Sequence, residues 1–156
     1  MMTTSQLLTV DEVRLVYQTK TKPSLRPKIN CAGDINGLMH ELLSPDQIAL
    51  REFFYLFLLN RANKLLGVLK VSEGGITGTI ADPKLIFAAA LKAVASSIII
   101  SHNHPSGNNK PSQSDIILTN KISKAAKLLD MPLLDHVIVT PESDRFFSFA
   151  DEGMIN

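Results

Sequence analysis

Residues 97–107 read Ser97-Ile98-Ile99-Ile100-Ser101-His102-Asn103-His104-Pro105-Ser106-Gly107. Three consecutive isoleucines have the composition of a buried strand, and the run leads directly into two histidines. Side chains at i and i+2 of an extended segment project to the same side. His102 and His104 can therefore point at one common centre, about 7 Å apart along the backbone. Pro105-Ser106-Gly107-Asn108-Asn109-Lys110-Pro111 cannot continue regular structure and reads as a loop. Ser112 follows that loop, and Asp115 stands eleven residues beyond His104. Two neutral imidazoles and a carboxylate, with a fourth position left to water, form the ligand set of a catalytic rather than a structural zinc site. Ser112-x-x-Asp115 has a second reading: a capping box whose acid complements the positive end of a helix. The two are compatible, since a helix start holds a ligand rigidly, and the sequence leaves both standing.

Downstream of this stretch, the spacing predicts a helix over 113–129 that buries Leu118, Ile122, Ala125 and Leu129. Strands over 133–139 and 146–149 then close a sheet. Upstream, Asp82-Pro83 has the form of a helix start, an acid at the N-cap and proline at the first position. The apolar stripe expected on that helix is Ile86, Phe87, Ala90, Leu91 and Val94. Residues 53–59 (FFYLFLL) are apolar on both faces, which predicts a central strand covered on both sides. Asn60-Arg61-Ala62-Asn63 supplies a turn, and 65–71 returns as the second arm of a hairpin. Ser72-Glu73-Gly74-Gly75 ends that arm with a turn or bulge, before a short strand over 76–80. A helix is expected over 34–43, stopped at Ser44-Pro45 because proline disfavours a helical residue before it. The Lys-, Pro- and Ser-rich segment 19–30 reads as a surface loop. Residues 12–19 alternate apolar and polar, a strand with Val13, Leu15 and Tyr17 on one side. Hairpins followed by strand–helix–strand–helix–strand imply an α/β fold with a mixed central sheet flanked by helices.

A chain of 156 residues fits one domain, with residues 1–33 as an N-terminal strand-and-loop extension. Sixteen basic against fifteen acidic residues leave a formal charge of +1, which offers no electrostatic footprint for nucleic acid. The single cysteine, Cys31, excludes an internal disulfide and a zinc ribbon, so any metal must be held by histidine and carboxylate. Neither a secretory signal nor an apolar run of membrane-spanning length is present. A cytoplasmic protein with no membrane partner is the expectation.

A zinc hydrolase also needs a carboxylate outside the metal shell to carry the proton of the attacking water. Of the six glutamates, Glu12, Glu41, Glu52, Glu73, Glu142 and Glu152, Glu52 begins the most apolar strand. There it can sit beside the site partly desolvated, which suits a general base; a surface acid ahead of a strand is the plainer alternative. Ser112 can donate to a developing oxyanion, unless it serves only as the helix cap. His136 is expected to pack or hydrogen-bond near the core, with a supporting role behind the ligands open to it and to Asp135. His40 reads as a surface histidine, and Cys31, with no basic neighbour in sequence, is not proposed as a nucleophile.

His102-x-His104-x7-Ser112-x2-Asp115 with an upstream Glu52 resembles the JAMM motif of the JAB/MPN metalloproteases. The string His102-Asn103-His104-Pro105-Ser106-Gly107, then Pro111-Ser112 and Asp115, resembles the RadC-like branch. Leu134-Asp135-His136 and Ser148-Phe149-Ala150-Asp151-Glu152-Gly153 are similar to it as well, and the resemblance runs from about Glu12 onward. It implies a cytidine-deaminase-like architecture and a Zn2+ site of His102, His104 and Asp115. Glu52 would be the general acid/base and Ser112 the oxyanion-side donor. The function so implied is that of a zinc-dependent metallopeptidase or isopeptidase, in which metal-bound water attacks an amide carbonyl of an unidentified peptide or protein substrate. RadC proteins of greater length carry a helix–hairpin–helix region ahead of this domain, and on the length given none is expected here. The alternative is a DNA-associated or protein-binding module of a repair or recombination system, with a structural or vestigial metal; near-neutral charge argues against tight nonspecific DNA binding. A scaffold that kept the fold and lost activity is a third reading, at odds with the intact ligand set.

Overall fold

Every residue of Phe53–Leu59 is buried, as a strand apolar on both faces requires once both faces are covered. In the structure, a computed structural model describing residues 19–74 and 80–155, this strand (β1) is second in a five-stranded sheet. The others are β2 (Leu65–Glu73), β3 (Ser97–Asn103), β4 (Leu133–Val139) and β5 (Phe146–Ser148), in the order β2-β1-β3-β4-β5. β3 and β4 are parallel and the remaining pairs antiparallel, so the sheet is mixed as expected. Among the described residues, four α-helices cover it: α1 (Ala32–Leu42), α2 (Pro45–Leu50), α3 (Pro83–Lys92) and α4 (Gln113–Leu128).

Side-chain alternation along the strands divides the core in two. Phe54, Leu56 and Leu58 of β1 join Ile98 and Ile100 of β3 under Ile86, Phe87 and Ala90 of α3 and Ile122 and Ala126 of α4. Phe53, Tyr55, Phe57 and Leu59 join Ile99 on the opposite face, against Ala32, Ile35 and Met39 of α1 and Ile48 of α2. The result is a three-layer α/β sandwich. Parity changes once on β4, where Ile98 pairs with Leu133 but Ile99 pairs with Asp135. Leu134 is the extra residue of a bulge. After it Val137 and Val139 face the α1 layer, while His136 turns toward α4.

The helix ends depart from the sequence reading for local reasons. α1 starts before Asp34, because the Asp34 carboxylate sits at the third helical position and accepts from the backbone of Asn30 and Cys31. Ser44-Pro45 stops α1 but also starts α2, which was not expected: Ser44 and Gln47 form a reciprocal capping box and Pro45 takes the first helical position. α3 ends at Lys92, and Val94 turns left-handed at φ 53°, so Leu91 and Val94 are exposed instead of completing the stripe. On α4 the fully buried positions are Thr119, Ile122 and Ala126; Leu118 and Ala125 are only partly buried, and Leu129 lies past the helix end and is exposed. The strands expected over 12–19 and 76–80 lie, apart from Thr19 and Ile80, outside the described residues. Among the described residues, no helix is long and apolar enough to cross a membrane.

The C-terminal segment is tied to the sheet through Asp135, whose carboxylate accepts from Ser148 Oγ at 2.6 Å, Ala150 N at 3.0 Å and His136 N at 2.7 Å. Burial pushes this carboxyl's pKa up, against the pull of those three donors. Truncating it strands buried donors, so Asp135→Ala should cost about 1–3 kcal/mol in denaturant unfolding. Asp135→Asn should cost less, because an amide oxygen keeps the backbone donors paired; equal stability of Asp135→Ala and wild type would refute the clamp.

Candidate metal centre

His102 lies one residue from the end of β3 and shares the face of Ile98 and Ile100, opposite Phe54 on β1 and Ile138 on β4. Its ring stacks on Phe54, with centroids 5.7 Å apart and planes 9° apart. His104 lies just beyond the strand, and its N–H donates to Val139 O at 2.9 Å, so the extended course continues far enough to keep the i, i+2 relation. A turn follows in which Gly107 takes φ 79°, a conformation that favours glycine. That turn brings the Asn108 carbonyl to 2.7 Å from His104 Nδ1. A carbonyl only accepts, so Nδ1 carries a proton, and in the neutral ring His104 Nε2 presents a lone pair.

The Nε2 atoms of His102 and His104 are 2.9 Å apart. Asp115, in the first turn of α4, places Oδ1 3.3 Å from His102 Nε2 and Oδ2 3.5 Å from His104 Nε2. One ligand atom from each of these residues lies within 4.8 Å of the others. Tetrahedral zinc with bonds of about 2.0–2.1 Å separates neighbouring ligand atoms by about 3.3–3.4 Å. The contacts here bracket that spacing, and two nitrogen donors with one carboxylate leave a position open, so the residues fit a divalent cation. Cys31 is exposed and takes no part in this cluster.

Electrostatics point the same way. Burial disfavours the ionised form of Asp115, yet the contacts with the His102 and His104 rings, the positive charge those rings can carry and the hydrogen bond from Ser112 outweigh it, holding the carboxyl well below the usual carboxylate range. Burial likewise opposes protonation of His104. The hydrogen bonds to Asp115 and Asn108, with the charges of Asp115 and Glu52, reverse that and raise its pKa.

Both readings of Ser112-x-x-Asp115 are realised together. Ser112 is the N-cap of α4: its Oγ accepts from Asp115 N at 3.1 Å and donates to Asp115 Oδ2 at 2.7 Å, and Ser112 N donates to the same oxygen at 2.7 Å. Asp115 is thus cap and candidate ligand at once. Glu52, half-buried between α2 and β1, contributes charge at His104. What holds it there escaped the sequence reading. Asn103, between the two histidines and facing the other layer, accepts from Phe53 N at 2.7 Å and donates to Ile48 O at 2.8 Å and Arg51 O at 2.9 Å. It therefore fixes the backbone on both sides of Glu52. His136 is fully buried, with Nε2 2.8 Å from His102 Nδ1. Burial, and then the proximity of His102, lower its pKa well below the ordinary value. Its own Nδ1 lies 2.6 Å from Thr119 Oγ1, a residue the sequence reading did not single out. His40 is half-buried rather than on the surface, and its Nε2 has no hydrogen-bond partner among the described residues.

A mixed sheet between helices, with two histidines at one strand end facing an aspartate at a helix start, is the architecture of a JAB/MPN domain. The chain belongs to the RadC-like JAB domain family, whose model matches residues 29–154. Among curated proteins it is 40% identical over 127 residues to a UPF0758 protein of Flavobacterium johnsoniae, covering 81% of this chain and 53% of the relative. It is 44% identical over 105 residues to a UPF0758 protein of Porphyromonas gingivalis, covering 67% and 46%. A UPF0758 protein of Gloeothece citriformis is 45% identical over 105 residues, covering 67% and 42%. The chain spans about half the length of the curated relatives it matches.

Two measurements test this site. Asn103→Ala leaves two carbonyls and the Phe53 N–H without partners, and should cost about 1–3 kcal/mol with faster exchange of the Phe53 amide. Unchanged exchange there would mean that Asn103 does not hold the segment. In the metal-free protein, an NMR titration should find His104 above the ordinary imidazole pKa, and lower in Asp115→Asn. A raised folded-state value means the protonated His104–Asp115 pair stabilises the metal-free fold below the ordinary imidazole pKa and loses that effect as pH rises through the raised value. Coincident titrations in the two proteins would refute the coupling.

Proposed function

We propose that this domain is a zinc-dependent hydrolase of amide bonds, a metallopeptidase or isopeptidase acting on a peptide or protein substrate in the cytoplasm. The observation that carries the reading is the convergence of His102 Nε2, His104 Nε2 and an Asp115 carboxylate held ionised by its neighbours. A zinc ion bound there supplies Lewis-acid polarisation of a carbonyl and an acidified water. The other roles fall to the chain itself. Glu52, half-buried and close enough for its charge to act on His104, takes the proton of the attacking water and returns it to the leaving nitrogen. Ser112, exposed at the rim, turns its hydroxyl proton from Asp115 Oδ2 to the substrate oxygen when substrate binds, and Ser112 N keeps Oδ2 paired. Phe54 walls His102 off from solvent, which keeps the site's electrostatics strong.

Elemental analysis should find about one zinc per chain in wild type and none in His104→Ala or Asp115→Ala. Zinc-loaded wild type should cleave members of a peptide and isopeptide library read by mass spectrometry. Glu52→Gln should keep zinc and lose cleavage by about a hundredfold or more. Metal content indifferent to the two ligand substitutions would sink the site, and full cleavage by Glu52→Gln would sink the role of Glu52.

A further inference from the structure

Thr119, His136 and His102 form a row of contacts from the backbone of α4 to the metal centre, and the row has a definite proton count. Thr119 lies four residues after Asp115 on α4, and its hydroxyl donates to the Asp115 carbonyl oxygen at 2.6 Å. The same Oγ1 is 2.6 Å from His136 Nδ1, and His136 Nε2 is 2.8 Å from His102 Nδ1. A hydroxyl has one proton and a neutral imidazole one N–H. Because Thr119 spends its proton on Asp115, His136 Nδ1 must be the donor to Thr119. His136 Nε2 is then a lone pair, which accepts from His102 Nδ1–H. His102 is left with a bare Nε2, 3.3 Å from Asp115 Oδ1 and 2.9 Å from His104 Nε2, a contact between two lone pairs that a cation, or a second proton on His104, relieves.

The reverse assignment gives up the Thr119 bond to the backbone and is incompatible with a cation on His102. If Thr119 donated to His136, its 2.6 Å contact with the Asp115 carbonyl would hold no proton and be repulsive. His136 Nε2–H would then donate to His102 Nδ1, placing the His102 proton on Nε2 and closing that atom to a cation. Water is a poor substitute here, since Thr119, His136 and His102 are all buried. Nor can the rings turn over freely. Phe54 stacks on His102, and Phe149 stacks on His136 with centroids 4.7 Å apart and planes 9° apart.

We infer that Thr119 and His136 are positioning residues that lock His102 in the Nδ1–H tautomer, presenting Nε2 to a divalent cation. The inference rests on the reading of His102 as a cation ligand, and its test separates the two. Long-range 1H–15N correlation spectra of the metal-free chain should show His102 protonated at Nδ1 and bare at Nε2. Zinc affinity, measured by competition with a chromophoric chelator, should fall about 10–100-fold in Thr119→Val and His136→Phe. Thr119→Ser, which keeps the hydroxyl, and His136→Gln, whose carboxamide can accept from His102 and donate to Thr119, should stay within a few-fold of wild type. Thr119→Val is nearly isosteric, so it remains informative if His136→Phe does not fold. A His102 protonated at Nε2 in metal-free wild type, or zinc affinity unmoved in Thr119→Val, overturns the lock. If wild type binds no zinc, the hydrolase reading falls, and the tautomer spectrum alone decides the lock.

Discussion

Adjacent side chains on a strand point to opposite faces, and the centre depends on how His102 and Asn103 use that rule. His102 turns into the α4 layer, with Phe54 stacked on its ring and Asp115 opposite its Nε2. Asn103 turns into the α1–α2 layer and spends its amide on the backbone at Ile48, Arg51 and Phe53. One strand, β3, thereby sets both a candidate ligand and the segment that carries Glu52. The relation between them is fixed by sheet geometry rather than by loops, the kind of support that holds a site to sub-ångström tolerance.

Much of this was legible because it depends on periodicity. The doubly apolar run at 53–59, the i, i+2 histidines and the helix after Ser112 each follow from short-range spacing, and the resemblance carried by the same residues led to the right fold and family. What escaped was non-local or was punctuation with two meanings. Ser44-Pro45 reads as a helix stop, yet the same two residues cap and open α2. An amphipathic count extends α3 through Val94, but the left-handed turn at that residue ends the face early. Asn103 looks like filler between two histidines; its three partners lie about fifty residues away, beyond any local pattern. Thr119 falls on the Asp115 side of α4 by helical spacing, but its meaning appears only once the bulge at Leu134 has turned His136 toward it.

That bulge also explains how β4 serves two layers. Asp135 fastens the C-terminal segment, while its neighbour His136 backs His102. Without the extra residue, the parity of β4 would be inverted from that point and the two side chains would exchange layers. A single inserted residue is thus part of the site's construction although it touches no ligand.

Asp115 belongs to two structures that are usually separate. One oxygen closes the capping box of α4, and the carboxylate as a whole faces the histidines. A carboxylate has lone pairs enough for both, so the start of the helix and the centre share one group rather than compete for it. Thermodynamic linkage then makes the coupling reciprocal: whatever a bound cation adds to the order of α4's first turn, ordering that turn adds to cation affinity. Any contact that orders the exposed beginning of α4 would, by the same linkage, tighten the hold of the candidate centre on a cation without reaching into it.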